Sequence, residues 1–138
     1  MASPMVVVVL ADDLIWSTRL ASQLRAAGAE PFSARDAAGV GRAPVGTRRA
    51  IVDLTARAYD GVAAVAAARA AGLRVLAVGQ HDDLALRKAA LAAGADRVFA
   101  YQKLFEDGPA TLARWLAGDI DDANASSGQD DQSEDQRA

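Results

Sequence analysis

Three aspartates at the ends of two apolar runs are the residues best placed to do chemistry. Asp12 and Asp13 end the run Val6-Val7-Val8-Val9-Leu10-Ala11, and Asp53 ends Arg49-Ala50-Ile51-Val52. Runs so rich in Val and Ile read as strands buried on both faces. A carboxylate inside such a strand is costly, but at its carboxyl end it can reach solvent or a cation. Three like charges a few ångströms apart repel, so they need protons or a cation. An all-oxygen set with few ligands suits Mg²⁺, which keeps several waters and can share a phosphoryl group. The plainer alternative is that Asp12 and Asp13 cap a helix starting near Leu14.

Those acids meet only if the elements around them stack as an open sheet. A strand over 6–11 is followed by Leu14, Leu20, Leu24 and Ala27 at helical spacing, with Gly28 as a stop. A short strand over 29–33 contains Pro31, which places it at a sheet edge. A short helix over 35–40 leads into a Gly-rich basic loop over 39–49. After the Asp53 strand come a helix over 62–71, a strand over 73–78, a helix over 82–93, a strand over 97–101 and a helix over 108–117. Strand and helix alternate five times, which implies a parallel sheet with helices on both sides. With the weak second strand at an edge, the expected fold is a single-domain, flavodoxin-like α/β (βα)5 sheet of order 2-1-3-4-5. Ligands of such sheets bind beyond the carboxyl ends of the strands.

The chain has 138 residues, enough for one domain with a real core. It has no cysteine, which excludes disulfides and thiolate chemistry and fits a cytoplasmic chain. The apolar start lacks a basic region and is cut off by Asp12, so it reads as a strand and not a signal peptide. No apolar run approaches the ~20 residues of a membrane span. The net charge of −3 is uneven: residues 119–138 hold seven acids and one Arg. The expected division is a domain over 1–118 and an acidic, disordered tail over 119–138. An acidic tail works against nucleic-acid binding. No phosphate-cradling Gly motif follows a strand.

Residues 5–117 resemble the receiver domain of bacterial response regulators. The likeness rests on Asp12-Asp13 after strand one, on the spacing from Asp53 through Leu54-Thr55-Ala56-Arg57-Ala58-Tyr59 to Asp60-Gly61, and on the ungapped match from Gly79-Gln80-His81-Asp82-Asp83 through Ala93-Gly94-Ala95-Asp96. The resemblance implies that Asp53 is a phosphoacceptor. It also implies that Asp13, Asp53 and the Thr55 carbonyl hold Mg²⁺, with Asp12 assisting through water. A sensor histidine kinase or a downstream effector would be the partner, and a homodimer is allowed.

The departures fall on the parts that sense the phosphoryl group. Gly79 stands where the family has Ser or Thr, Tyr101 where it has Lys, Val98 at its aromatic switch position and Arg57 at its usual Pro. Losing the hydroxyl and the ammonium removes charge-assisted bonds worth roughly 1.5–3 kcal/mol each. That is comparable with a typical allosteric coupling of ~1–3 kcal/mol. Lys103 lies two residues past Tyr101, on the same face of an extended strand about 6.6 Å further on. A longer strand five would let it substitute, whereas in a loop it is merely solvated.

The expectation is therefore an atypical receiver, a signalling module that acts through protein contacts with weak or absent phosphorylation switching. The alternative is a working phosphoacceptor. An enzyme is not expected: metal-dependent phosphatases with an aspartyl nucleophile show a second acid two positions on, where this chain has Thr55. His81, the sole histidine, reads as an exposed loop residue. Trp16 and Trp115 read as packing residues, with Trp115 also open to a role at a partner face.

Overall fold

The computed structural model describes residues 5–80 and 82–118. His81 and the acidic segment over 119–138 lie outside the described residues.

The elements run β1 (Met5–Leu10), α1 (Leu14–Ala26), β2 (Ala29–Ala34), α2 (Ala37–Val40), β3 (Arg49–Asp53), α3 (Gly61–Ala70), β4 (Arg74–Gly79), α4 (Leu84–Ala93), β5 (Arg97–Ala100) and α5 (Tyr101–Ala117). The five strands form one parallel sheet of order β2-β1-β3-β4-β5. This is the flavodoxin-like α/β arrangement expected from the alternation of elements. Pro31 sits in the edge strand β2, where its missing N–H costs no ladder bond inside the sheet.

Alternate residues of each strand serve opposite faces. Val8, Leu10, Ala50, Val52, Val75 and Ala77 pack on one face, with Ala64, Val65 and Ala68 of α3 and Ala90 of α4. Val7, Val9, Ile51, Leu76 and Val78 pack on the other, with Leu20 and Leu24 of α1 and Leu112 and Trp115 of α5. Trp115 is fully buried there, so it does not mark a partner face.

The largest difference from the sequence reading is at the end of the sheet. The strand expected over 97–101 stops at Ala100, and the helix expected over 108–117 begins at Tyr101. The helix is broken once, at Asp107 (φ −149°, ψ 34°), just before Gly108 and Pro109. Pro lacks the N–H that the helix would use, and its ring crowds the preceding turn. The Gly-Pro signal was thus real, but it marks a break inside a helix and not its beginning.

Candidate functional site

Asp53 ends β3 with only 1 % of its surface exposed. Its Oδ1 accepts the Thr55 N–H at 2.9 Å and the Thr55 hydroxyl at 2.7 Å. A buried carboxylate needs such bonds, since each unsatisfied charged oxygen is expensive. The carbonyl of Asp53 and that of Leu10 both accept from the Tyr59 hydroxyl, at 2.8 and 2.7 Å. One phenol therefore ties the carboxyl ends of β1 and β3 together. Burial first, and the charge of Asp53 second, push the Tyr59 hydroxyl far above the usual phenol range, so it remains a donor.

Asp12 reaches across from β1 to the loop after β3. Its Oδ2 accepts the N–H groups of Arg57 and Ala58, both at 2.8 Å. These bonds, Ala58 foremost, hold its carboxyl below the ordinary carboxylate value, with Arg35 adding a smaller attraction. Asp13 caps α1, where its Oδ1 accepts the Trp16 N–H at 3.1 Å. Helix capping therefore explains Asp13 in this conformation but not Asp12, which braces the β3–α3 loop. That loop leads to Asp60, which caps α3, and to Gly61. A Cβ on Gly61 would fall 2.7 Å from Leu54 Cα, so only glycine lets α3 start this close to β3.

Asp12, Asp13, Asp53 and Thr55 line one cleft of about 310 Å³, together with Trp16 and Arg57. The three expected carboxylates do converge on one hollow at the carboxyl edge of β1 and β3. Yet among the described residues no three acidic or histidine side chains are grouped so as to hold a metal ion. Each of the three has turned one oxygen to an N–H or a hydroxyl and keeps a second. The expected Mg²⁺ donors Asp13, Asp53 and Thr55 share that cleft with Asp12.

Tyr101 is buried beside the site. Its ring lies on Trp16 with centroids 3.7 Å apart and planes tilted by 32°. Its hydroxyl is 3.5 Å from Thr55 Oγ1. Burial, and then hydrogen bonding to the Asp53 carboxylate, push that hydroxyl far above the usual phenol range. Phe105, one turn on, meets Trp16 edge-on at 5.2 Å, and the Arg19 guanidinium lies 4.6 Å over the Phe105 ring. Trp16 therefore does more than pack: it lines the cleft and backs the residue whose hydroxyl approaches Thr55.

The remaining positions are simply placed. Gly79 ends β4 buried, and a Cβ there would meet Leu54 Cδ1 at 3.4 Å. Val98 is buried in β5. Strand five does not extend to Lys103, the condition on which it could substitute: Lys103 is exposed in the first turn of α5. A helix turns by about 100° per residue, so the two-residue step that would keep Lys103 on the face of Tyr101 in a strand points it elsewhere. Tyr59 and Phe105 are site neighbours to which the sequence reading gave no role, and Trp16 one to which it gave only packing. The signal was present for Tyr59, the single aromatic in the connection between Asp53 and Asp60.

No family model matches the chain, and no curated protein matches it. Solved structures do match. A receiver domain protein from Methanospirillum hungatei JF-1 shares 19 % identity over 91 % of this chain and 100 % of its own, with a TM-score of 0.69. A response regulator from Burkholderia pseudomallei, solved with a phosphorylated aspartic acid, a calcium ion and citrate, shares 17 % over 88 % of this chain and 72 % of its own, at 0.70. The BeF3-activated receiver domain of DrrB, from Thermotoga maritima, shares 15 % over 83 % and 99 %, at 0.71. In sheet order, helix placement and extent, this chain has the fold of the response regulator receiver domains.

Proposed function

We propose that the chain is a receiver-type module of two-component signalling that works by protein contact, with its phosphoacceptor position held shut. The observation that carries this reading is Tyr101 on the first turn of α5, stacked on Trp16 with its hydroxyl against Thr55 and Asp53. The position that would supply a phosphate-binding ammonium supplies instead a neutral phenol. Gly79 supplies no hydroxyl from the opposite side. A phosphoryl group on Asp53 would have to displace the phenol and would meet neither partner. Breaking an aromatic pair alone costs about 0.5–1.5 kcal/mol beyond its burial.

The second reading, a working phosphoacceptor, is supported by Asp12, Asp13, Asp53 and Thr55 lining one cleft. The regulator with a phosphorylated aspartic acid and calcium ion has the same fold. In this reading a sensor histidine kinase is the donor and Mg²⁺ the resident ion. Asp12 and Asp13 would release their backbone N–H groups to meet it, and Tyr101 would withdraw.

Incubation with acetyl phosphate and Mg²⁺, followed by intact mass measurement, separates the two. The wild-type chain is expected to show no gain of a phosphate, and Tyr101→Ala to open the carboxylate to solvent. A wild-type gain that Asp53→Asn abolishes, together with a changed affinity for a partner, overturns the first reading in favour of the second.

A further inference from the structure

The edge of the sheet opposite the acid site carries a charge that neither reading uses. Arg49 opens β3, Arg74 opens β4 and Arg97 opens β5. Arg49 and Arg74 are paired in register, and Arg97 pairs with Leu76, two residues past Arg74. Residues two apart share a face of a strand. All three therefore belong to the face of Ile51, Leu76 and Phe99, which packs on α1 and α5. Arg48 precedes this row and Arg114 lies in the last turn of α5, both exposed.

Helix α5 ends on the row. Arg49 Nη2 donates to the Leu116 carbonyl at 3.2 Å, and its guanidinium lies 5.4 Å from the centre of the Trp115 ring. Arg49 Nη1 meets no hydrogen-bond partner among the described residues. The plain account is that these arginines only offset helix ends and one acid. Asp96 is that acid, bonded to Arg74 at 3.0 Å. Glu30 is at the start of β2, two strands from β3. Among the described residues Arg48, Arg49 and Arg114 meet no carboxylate. The ends of α3, α4 and α5 each supply about half a negative charge. Five guanidinium charges exceed that supply, so the edge stays positive. At the carboxyl edge, by contrast, arginines are outnumbered by aspartates, Asp12, Asp13, Asp36, Asp53 and Asp60 among them.

The chain leaves α5 at Gly118, two residues past the carbonyl that Arg49 holds. Asp119, Asp121 and Asp122 come next, the first of seven acids over 119–138 against the single Arg137. An extended chain covers at most about 3.6 Å per residue, so Asp122 lies no more than ~14 Å from Gly118. Strands are about 4.8 Å apart, which keeps the starts of β3, β4 and β5 within ~10 Å of one another. A segment tethered at its own binding surface is present there at millimolar effective concentration.

We propose that the acidic segment over 119–138 docks on the arginines at the amino edge of the sheet, and so keeps other acidic chains off that surface. This does not depend on whether Asp53 accepts phosphate.

Paramagnetic relaxation in the full chain tests it. The chain has no cysteine, so Ser133→Cys takes a single spin label. The label should broaden the amide signals of Arg49, Arg74 and Arg97 and leave those of Asp13 and Thr55 sharp. A free coil tethered at Gly118 also brushes this edge, so charge decides the outcome. The broadening should fall by half or more near 1 M salt, where screening acts beyond ~3 Å. Arg48→Glu with Arg114→Glu, both at exposed positions, should reduce it likewise while far-ultraviolet dichroism stays unchanged. Broadening that ignores both salt and charge reversal overturns the proposal, as does broadening centred on any other surface. Polyglutamate supplies the second arm. A full-length chain with its seven tail acids changed to Asn and Gln should bind polyglutamate about 10- to 100-fold more tightly than the wild type. Equal affinity of the two chains also overturns the proposal, because the segment then shields nothing.

Discussion

Each acid of the cleft has a job that its charge alone would not disclose. Asp12 binds two amides of the β3–α3 loop, Asp13 caps α1, and Asp53 is buried on Thr55. The Asp12 interaction gives a prediction with a definite sign. Its carboxyl titrates below its unfolded value of 3.8. The stability it lends is therefore complete above that value and is lost as pH falls through the lower folded one. Hydrogen exchange at the Arg57 and Ala58 amides, corrected for intrinsic rates, should lose protection over that window, while Asp12→Asn should show less protection at neutral pH. Tyr59 carries a heavier load, since its single hydroxyl proton is shared between two carbonyls at the ends of β1 and β3. Tyr59→Phe should cost about 1–3 kcal/mol by chemical denaturation. A loss near zero would mean that water replaces the phenol there.

At the scale of elements, α5 decides which residue stands beside Asp53 and Thr55. Starting the helix at Tyr101 turns that ring onto Trp16 and sends Lys103 to solvent. The first turns are anchored on α1: Gln23 Nε2 donates to the Leu104 carbonyl at 2.8 Å, and Leu104 is buried. The break at Asp107 brings Gly108 against the end of the Gln23 side chain, which a Cβ there would have to push aside. Gly108→Ala should therefore displace Gln23 and loosen the segment that carries Tyr101. The expected cost is about 1–3 kcal/mol, typical of overpacking. Trp16 emission should shift to the red as its stack opens, whereas the buried Trp115 should stay unchanged. Intact stability and emission would show that Gln23 yields freely.

Across the whole molecule, two apolar layers hold the sheet, and they are unlike in kind. The α2–α3–α4 layer is built largely of Ala and Val, whereas the α1–α5 layer centres on Trp115 at 0 % exposure. Small side chains allow close approach but leave hollows, and an apolar groove of about 350 Å³ lies between α2 and α3, lined by Leu10, Val40, Ala64, Ala67 and Leu73 among others. Trp115→Ala should cost about 3–5 kcal/mol. That is a large part of the ~5–15 kcal/mol by which a domain is stable, so the thermal midpoint should drop steeply or folding should fail at ambient temperature. Among the described residues no helix is long and apolar enough to cross a membrane.

Sequence by itself determined the sheet and the meeting of the acids. Strands buried on both faces must be nearly all apolar, so β1, β3 and β4 announce themselves. Alternation with helices then allows few ways to order them, and Pro31 assigns the edge. The convergence of Asp12, Asp13 and Asp53 follows from that order alone. Only the tertiary structure decided what those acids bond and what stands over them. Whether residues 101–106 extend a strand or begin a helix turns on Tyr101, Leu104 and Phe105 finding Trp16 and Gln23, some eighty positions earlier in the chain. Contacts at that separation outweigh the local signal of Gly108 and Pro109, because burying an aromatic side chain is worth more than the propensity of a single turn.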